Sequence, residues 1–406
     1  MSQRGFAAPA MIGKIVVSIA TLVCAGAGFV NAASETGNLS LSMSRTLDAT
    51  INSEVRSRAL DQNFRLAASA EAENGNTGFP ESSDMVLAEA QSLRALRPLD
   101  PVPVRVWAVG GIAQTDPERA SNILVSASTM NKRDAVANMW LVHNFARGER
   151  VDAMITFFDQ GLRTSRQLRS TAIAPFVGLL ALREGRDRIG QLIRAHPDWE
   201  EDFWTEFARN QIALQNSGSF FEETGIDFSE QPSERKAEIY RNLRRLGYFE
   251  SMFALAAKDR PLGEQSERIP PESLASVTSP VGWRLQSSGL VSSFYDDTRE
   301  ALIVDAQPGA LGAFAELVTP KKSGGQLEVA LERPAPEGGR LRVSATCAGD
   351  QSNMLAQLEL RPGETLASTP LAEDSDCAFL LLSASIAVER GSQGGVELAI
   401  SRIGLR

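Results

Sequence analysis

The chain has 406 residues, with 41 Lys and Arg against 50 Asp and Glu for a net charge of −9, and 43% hydrophobic residues. That length and apolar content suffice for two cores. The acidic balance argues against a general nucleic-acid or anionic-membrane binder.

Before Glu35 the only charges are Arg4 and Lys14, followed by an apolar stretch over residues 15–30. A basic start, an apolar run and the small-residue pattern Val30-Asn31-Ala32 predict a secretory signal over residues 1–32, cut after Ala32. Gly26 and Gly28 sit where such a signal breaks its helix. Two other readings stay open. An uncleaved anchor would need about 20 apolar residues, and a lipoprotein at Cys24 would need a small residue where Val23 stands. No later segment is long and apolar enough to span a membrane. The expectation is an exported bacterial protein of the periplasm or cell envelope, touching the membrane only through its first segment if that is retained.

Losing Arg4 and Lys14 leaves 39 basic residues against all 50 acidic ones, a net charge of −11. Losing Cys24 leaves Cys347 and Cys377, an even pair in an oxidising compartment. A disulfide between them is the simplest reading; two buried free thiols are the other.

Residues 33–82 are rich in Ser, Asn, Ala and Glu, with one weakly amphipathic stretch at Leu47, Ile51, Val55 and Phe64, and predict a flexible tether holding at most one helix. Turn residues at 74–80 end it. From Ser83 the apolar spacing turns helical. Ser82-Ser83-Asp84 caps a helix carrying Val86, Leu87, Leu93 and Leu96, which Pro98, Pro101 and Pro103 break. Paired helices follow: 104–114 with 117–130, where Asp116 is the N-cap and Pro117 the first helical residue, then 133–146 with 149–162, and 167–183 with 186–195. A short helix over 199–209, a polar loop and a final pair over 233–246 and 249–257 complete the series. Neither helix of such a pair can bury its apolar stripe alone, whereas stacked hairpins can.

The joints Ala146-Arg147-Gly148-Glu149, Glu184-Gly185-Arg186 and Leu246-Gly247-Tyr248, each leading into an amphipathic helix, resemble tetratricopeptide-type repeats of bacterial envelope proteins. Ala153 and Phe157 suit the small and aromatic positions of the second repeat helix, although the full repeat signature is never present. The resemblance implies a helical-repeat domain over residues 83–258 that recognises a protein partner.

Residues 259–280, with scattered Pro and Gly and no periodic apolar face, predict a linker. Beyond it the period shifts to that of strands, at 301–304, 326–331, 340–346, 354–360, 377–383 and 396–403. Turn signals at 322–325, 337–339 and 361–363 separate them. Regular short strands predict a β-sandwich or jelly roll over residues 281–406. The opening Gly282-Trp283-Arg284-Leu285, with Cys347 on one strand and Cys377-Ala378-Phe379-Leu380-Leu381 opening a later one, resembles the C-terminal β-domains of periplasmic repeat proteins encoded near polysaccharide-production machinery. That resemblance implies an accessory role outside the cytoplasm.

His143 and His196 fall on different predicted hairpins, which gives no zinc site. The string Gly391-Ser392-Gln393-Gly394-Gly395 lacks the spacing of a nucleophile elbow and reads as a hairpin turn. Gly13-Lys14 lies in the signal, so there is no phosphate-binding loop. Glu200, Glu201, Asp202 and Glu206 around Trp199, Phe203 and Trp204 could form a glycosidase cleft. The competing account makes Asp198 a cap, the acids a first helical turn, and Trp199, Phe203 and Phe207 a core stripe. Arg163, Arg166, Arg169, Arg183, Arg186, Arg188 and Arg194 could line a groove for an acidic polymer or form a solvated face. Trp283 could stack on sugar or plug the sandwich edge.

The expectation is therefore a multidomain α-then-β protein with no catalytic residues, no metal and no cofactor. It acts as an exported, non-enzymatic adaptor holding a protein partner along its helical repeats. The alternative is a carbohydrate-binding or polysaccharide-export accessory protein acting through the β-domain.

Overall fold

The computed structural model describes residues 53–73, 82–259, 282–296, 298–321, 324–372, 377–392 and 394–406. The expected signal and most of the expected linker lie outside the described residues. Among the described residues no helix is long and apolar enough to cross a membrane. Two compact units divide at Ile226 and Asp227.

The first unit is helical. In chain order it holds α1 (Ser53–Glu73), α2 (Asp84–Leu96), α3 (Pro101–Gly110), α4 (Pro117–Met130), α5 (Ala135–Arg147), α6 (Val151–Thr164), α7 (Arg166–Gly178), α8 (Arg183–Ile193), α9 (Glu200–Phe207), α10 (Gln211–Gln215) and α11 (Ser217–Thr224). Consecutive helices pack as hairpins, α2 on α3, α5 on α6 and α6 on α7. The helix expected within residues 33–82 is α1, which buries Leu60 and Phe64 and packs onto α2 and α3.

Local chemistry sets the ends. Asp116 accepts a hydrogen bond from the Arg119 amide at 3.0 Å, with Pro117 beginning α4 as predicted. Pro101 and Pro103 do not break a helix. They lie in the first turn of α3, where no amide donor is needed, and Asp100 caps that turn by accepting from the Val102 amide at 3.1 Å. The joint expected at Glu184-Gly185 falls instead on a 3₁₀ turn over Leu179–Ala181. Gly185 sits inside α8, where a Cβ would lie 2.1 Å from the Leu179 carbonyl oxygen. Only glycine lets the new helix start so close to the old one.

The expected polar loop after residue 209 holds two short helices, α10 and α11. Phe220 and Phe221 on α11 are buried and join Phe203, Trp204 and Phe207 in an aromatic core, with Trp204 stacked on Phe221 at 5.8 Å.

The second unit begins with a helical hairpin, α12 (Ser233–Leu246) and α13 (Phe249–Asp259), turned by Gly247 at φ 75°. Ten strands follow: β1 (Arg284–Leu285), β2 (Val291–Asp296), β3 (Ala301–Ala306), β4 (Leu311–Pro320), β5 (Gln326–Leu331), β6 (Gly339–Cys347), β7 (Asp350–Leu360), β8 (Leu366–Pro370), β9 (Phe379–Val388) and β10 (Val396–Leu405). They form two antiparallel sheets, ordered β1-β4-β9-β6-β7 and β2-β3-β10-β5-β8. β6 pairs with β7, β5 with β8, β4 with β9 and β3 with β10. That nesting is one long antiparallel hairpin rolled onto itself, the wrap of a jelly roll.

The turn signals read from the sequence consequently connect the sheets. The string 391–395, expected as a hairpin turn, lies between β9 in one sheet and β10 in the other. β9 alternates without exception between half-buried and buried positions, and its inner residues Leu380, Leu382, Ala384 and Ile386 meet Leu398, Ile400 and Ile403 in the core. A disulfide joins Cys347 at the end of β6 to Cys377, with 5.6 Å between the Cα atoms. On the outer face of the same sheet, Phe379 stacks on Phe253 at 5.3 Å and meets Phe249 at 5.9 Å, so α12–α13 covers that end of the sandwich.

Candidate ligand cleft of the β-sandwich

The second sheet ends in a cleft of about 340 Å³, within the lower range of small-molecule sites. Three distant stretches build it. The turn Ser288-Gly289-Leu290 forms one wall, closed by reciprocal backbone hydrogen bonds between Ser288 and Val291 at 2.8 and 3.2 Å. The end of β3 with Gln307 forms the second, tied to that turn by the Gln307 amide donating to the Leu290 carbonyl at 2.9 Å. The start of β10 forms the third, where Gly395 comes so near that a Cβ would lie 3.1 Å from the Ala306 carbonyl oxygen. Val291, Ala306 and Val396, all buried in the sandwich core, supply the floor.

Register decides what faces the opening. Ser292 pairs with Asp305, and Asp305 pairs with Glu397, so the three side chains form a row across three strands. The next outward row, two residues on, is Phe294, Ile303 and Ala399, roughly 7 Å away along the strands. Phe294 is 49% exposed and Leu290 at the turn is 45% exposed. Exposed apolar side chains gathered around a polar cleft mark a binding surface more than scattered ones do.

The polar groups are available. Among the described residues, the Asp305, Gln307, Ser288 and Ser292 side chains have no hydrogen-bond partner within the fold. Glu397 is met by Arg299 at 3.1 Å, which also holds Glu332 at 2.9 Å. A Cβ at Gly289 would meet nothing within 4 Å, and its φ is outside the left-handed region. That position opens onto free space.

The residues singled out from sequence go elsewhere. Trp199, Phe203 and Phe207 are fully buried, in contact with Phe176 and Phe220, so they form core. Asp198 does not cap α9; Trp199 holds that position, and the Asp198 carboxylate pairs with Arg169. Glu200 accepts from the Trp204 indole at 3.0 Å and meets His196 at 3.0 Å.

Five of the seven clustered arginines are engaged within the helical unit. Arg163 pairs with Asp159 at 2.8 Å, Arg169 with Asp198, Arg186 with Glu223 at 2.7 Å and Arg188 with Asp152 at 3.1 Å, while Arg194 donates to the Thr224 carbonyl. Arg186 also donates to the Leu180 carbonyl at 3.0 Å, so these side chains stitch helix ends together. Its guanidinium holds the Glu223 carboxyl below the usual carboxylate range.

Trp283 is buried in the sandwich core, its indole nitrogen without a partner among the described residues. His143 has a lowered pKa, chiefly because burial disfavours its charged form and secondarily because Arg147 is near. Among the described residues no three His, Cys, Asp or Glu side chains converge as metal ligands.

No protein-family model and no curated protein matches the chain. A solved structure to which it is similar is TmCBM61, determined in complex with β-1,4-galactotriose. The identity is 11% and the TM-score 0.22, over 36% of this chain and 93% of that one. Likeness at this level says nothing about what the present chain binds.

Proposed function

We propose that this chain is an exported, non-enzymatic carbohydrate-binding accessory protein whose ligand occupies the cleft between the Ser288–Leu290 turn, β3 and β10. The observation that carries the reading is the juxtaposition of unpartnered polar side chains, Asp305, Gln307, Ser288 and Ser292, with the exposed Phe294 and Leu290. A sugar ring presents apolar faces and hydroxyl-bearing edges, and this surface offers a partner to each.

Asp305 and Glu397 do not suit glycosidic hydrolysis. Its two carboxyls must flank the scissile bond, one of them made acidic-competent by apolar burial. Here both stand side by side on one face of one sheet, exposed, and Glu397 is partly neutralised by Arg299. The Cys347–Cys377 disulfide agrees with an exported protein.

A second reading, the adaptor, keeps one observation of its own. Met85 and Leu96 lie eleven residues apart on α2, hence on one face, and are 79% and 62% exposed, with Leu99 beyond them 76% exposed. In that reading the tetratricopeptide-like helical hairpins dock a protein partner while the sandwich holds glycan.

The test is calorimetric titration of the full chain with amine-bearing, neutral and uronate oligosaccharides, beside Gly289→Leu, which fills the cleft without straining the turn. Binding that Gly289→Leu abolishes is expected. No binding by any oligosaccharide, or binding indifferent to that substitution, contradicts the assignment. Release of new reducing ends would contradict the non-enzymatic part.

A further inference from the structure

Resting on the carbohydrate reading, we infer that the cleft selects glycans carrying free amino groups, oligomers or polymers of unacetylated hexosamine. Asp305 and Glu397 are direct cross-strand partners on the outer face of the sheet, and like charges placed directly opposite one another destabilise a sheet. Sequences ordinarily relieve this with a counter-charge. Glu397 has half of one: Arg299, which it shares with Glu332. Among the described residues Asp305 has none. Arg390, also near this end, lies along Gly309, beyond Gln307 and not on the carboxylate row.

The cleft therefore keeps an unrelieved negative charge at the place where it also keeps its free hydrogen-bonding groups. Locally unfavourable arrangements that a fold tolerates are expected at functional positions. A uronate would bring a third negative charge to this row. A neutral sugar would use Ser292, Gln307 and the Phe294 ring and leave the carboxylates as they are. An ammonium-bearing sugar alone supplies the missing cation, while its ring faces and hydroxyls still match the apolar rim and the polar wall.

The experiment compares glucosamine oligosaccharide, its N-acetylated counterpart and a uronate oligosaccharide of equal length on the full chain, by calorimetry at low and high salt. Exposed ion pairs predict binding of the free amine about two- to fivefold tighter than the acetylated form at low salt. That margin should shrink as salt screens it. Asp305→Asn should remove the margin, so that within this variant the amine and acetylated forms bind equally. Asp187→Asn, an exposed acid of the helical unit, should leave the margin intact.

Equal affinity for amine and acetylated forms overturns the inference while the carbohydrate reading stands. A margin that Asp187→Asn erases as effectively as Asp305→Asn also overturns it, because the attraction would then belong to the acidic chain as a whole. If no oligosaccharide binds, the carbohydrate reading itself fails.

Discussion

Arg105 offers the sharpest energetic test of the helical unit. It lies on α3 with its side chain only 3% exposed, and it holds two carboxylates at once. Both Asp134 oxygens accept from Nη1 at 2.7 Å, and Asp61 on α1 accepts from Nη2. The two acids differ in what happens when Arg105 is removed. Asp61 is 23% exposed and keeps Arg65 at 2.8 Å, so it re-solvates. Asp134 is 5% exposed and is also the N-cap of α5, accepting from the Ala137 amide at 3.1 Å.

Arg105→Met preserves much of the packed volume and strands Asp134 as an unpaired buried charge, a loss of about 3–5 kcal/mol. Four of the five tryptophans, Trp107, Trp140, Trp199 and Trp204, belong to this unit, so intrinsic fluorescence during urea unfolding reports on it. At a slope of about 2 kcal/mol per M, the midpoint should fall by about 1.5–2.5 M. Adding Asp134→Ser removes the stranded charge and keeps a capping hydroxyl, and should restore the unit to within about 1–2 kcal/mol of the parent. A loss below about 1 kcal/mol for Arg105→Met, or a double variant no better than the single one, would mean that Asp134 is not left as a stranded charge.

Two further expectations concern pH and redox state. Because the folded pKa of His143 lies below its ordinary 6.5, the unfolded chain takes up the proton first. The helical unit should be fully stabilised above about pH 6.5 and lose stability as pH falls toward the folded value. His143→Gln should flatten this part of a stability–pH curve measured from pH 7.5 to 5, and an unchanged slope would remove His143 as its source. Non-reducing peptide mapping should recover one cross-link between Cys347 and Cys377, which closes a separation of 30 residues. Cys377→Ser should cost the second unit about 3–4 kcal/mol and leave tryptophan-reported helical stability unchanged. Free thiols at both positions, or equal loss in both units, would contradict this.

The sequence was most legible where one local rule acted alone. Asp116-Pro117 and Gly247 marked helix ends because capping and left-handed backbone are requirements of a single turn. Legibility failed where tertiary packing chose among local options. Pro101 and Pro103 read as breakers until Asp100 supplied a cap and made them a first turn. Phe220 and Phe221 were hidden in a segment whose composition reads as loop, because its helices are too short to show a period.

β4 escaped notice because Gly312, Ala313 and Ala315 blur its alternation, and β8 because its Ser, Thr and terminal Pro read as turn while pairing only at a sheet edge. The cleft was out of reach for a different reason. Asp305 and Glu397 each break an apolar strand at an outward position, which the alternation reveals. Their adjacency exists only through the pairing of β3 with β10, more than ninety residues apart in the chain.

Amide exchange of the full chain, with and without a saturating glucosamine oligosaccharide, locates the bound sugar on the fold. Slowed exchange is expected at residues 288–292, 305–307 and 395–397 alone, with the helices from 84 to 224 unchanged. Protection that falls on the helical unit, or on the Phe379 face beneath α13, while the cleft exchanges as before would contradict it.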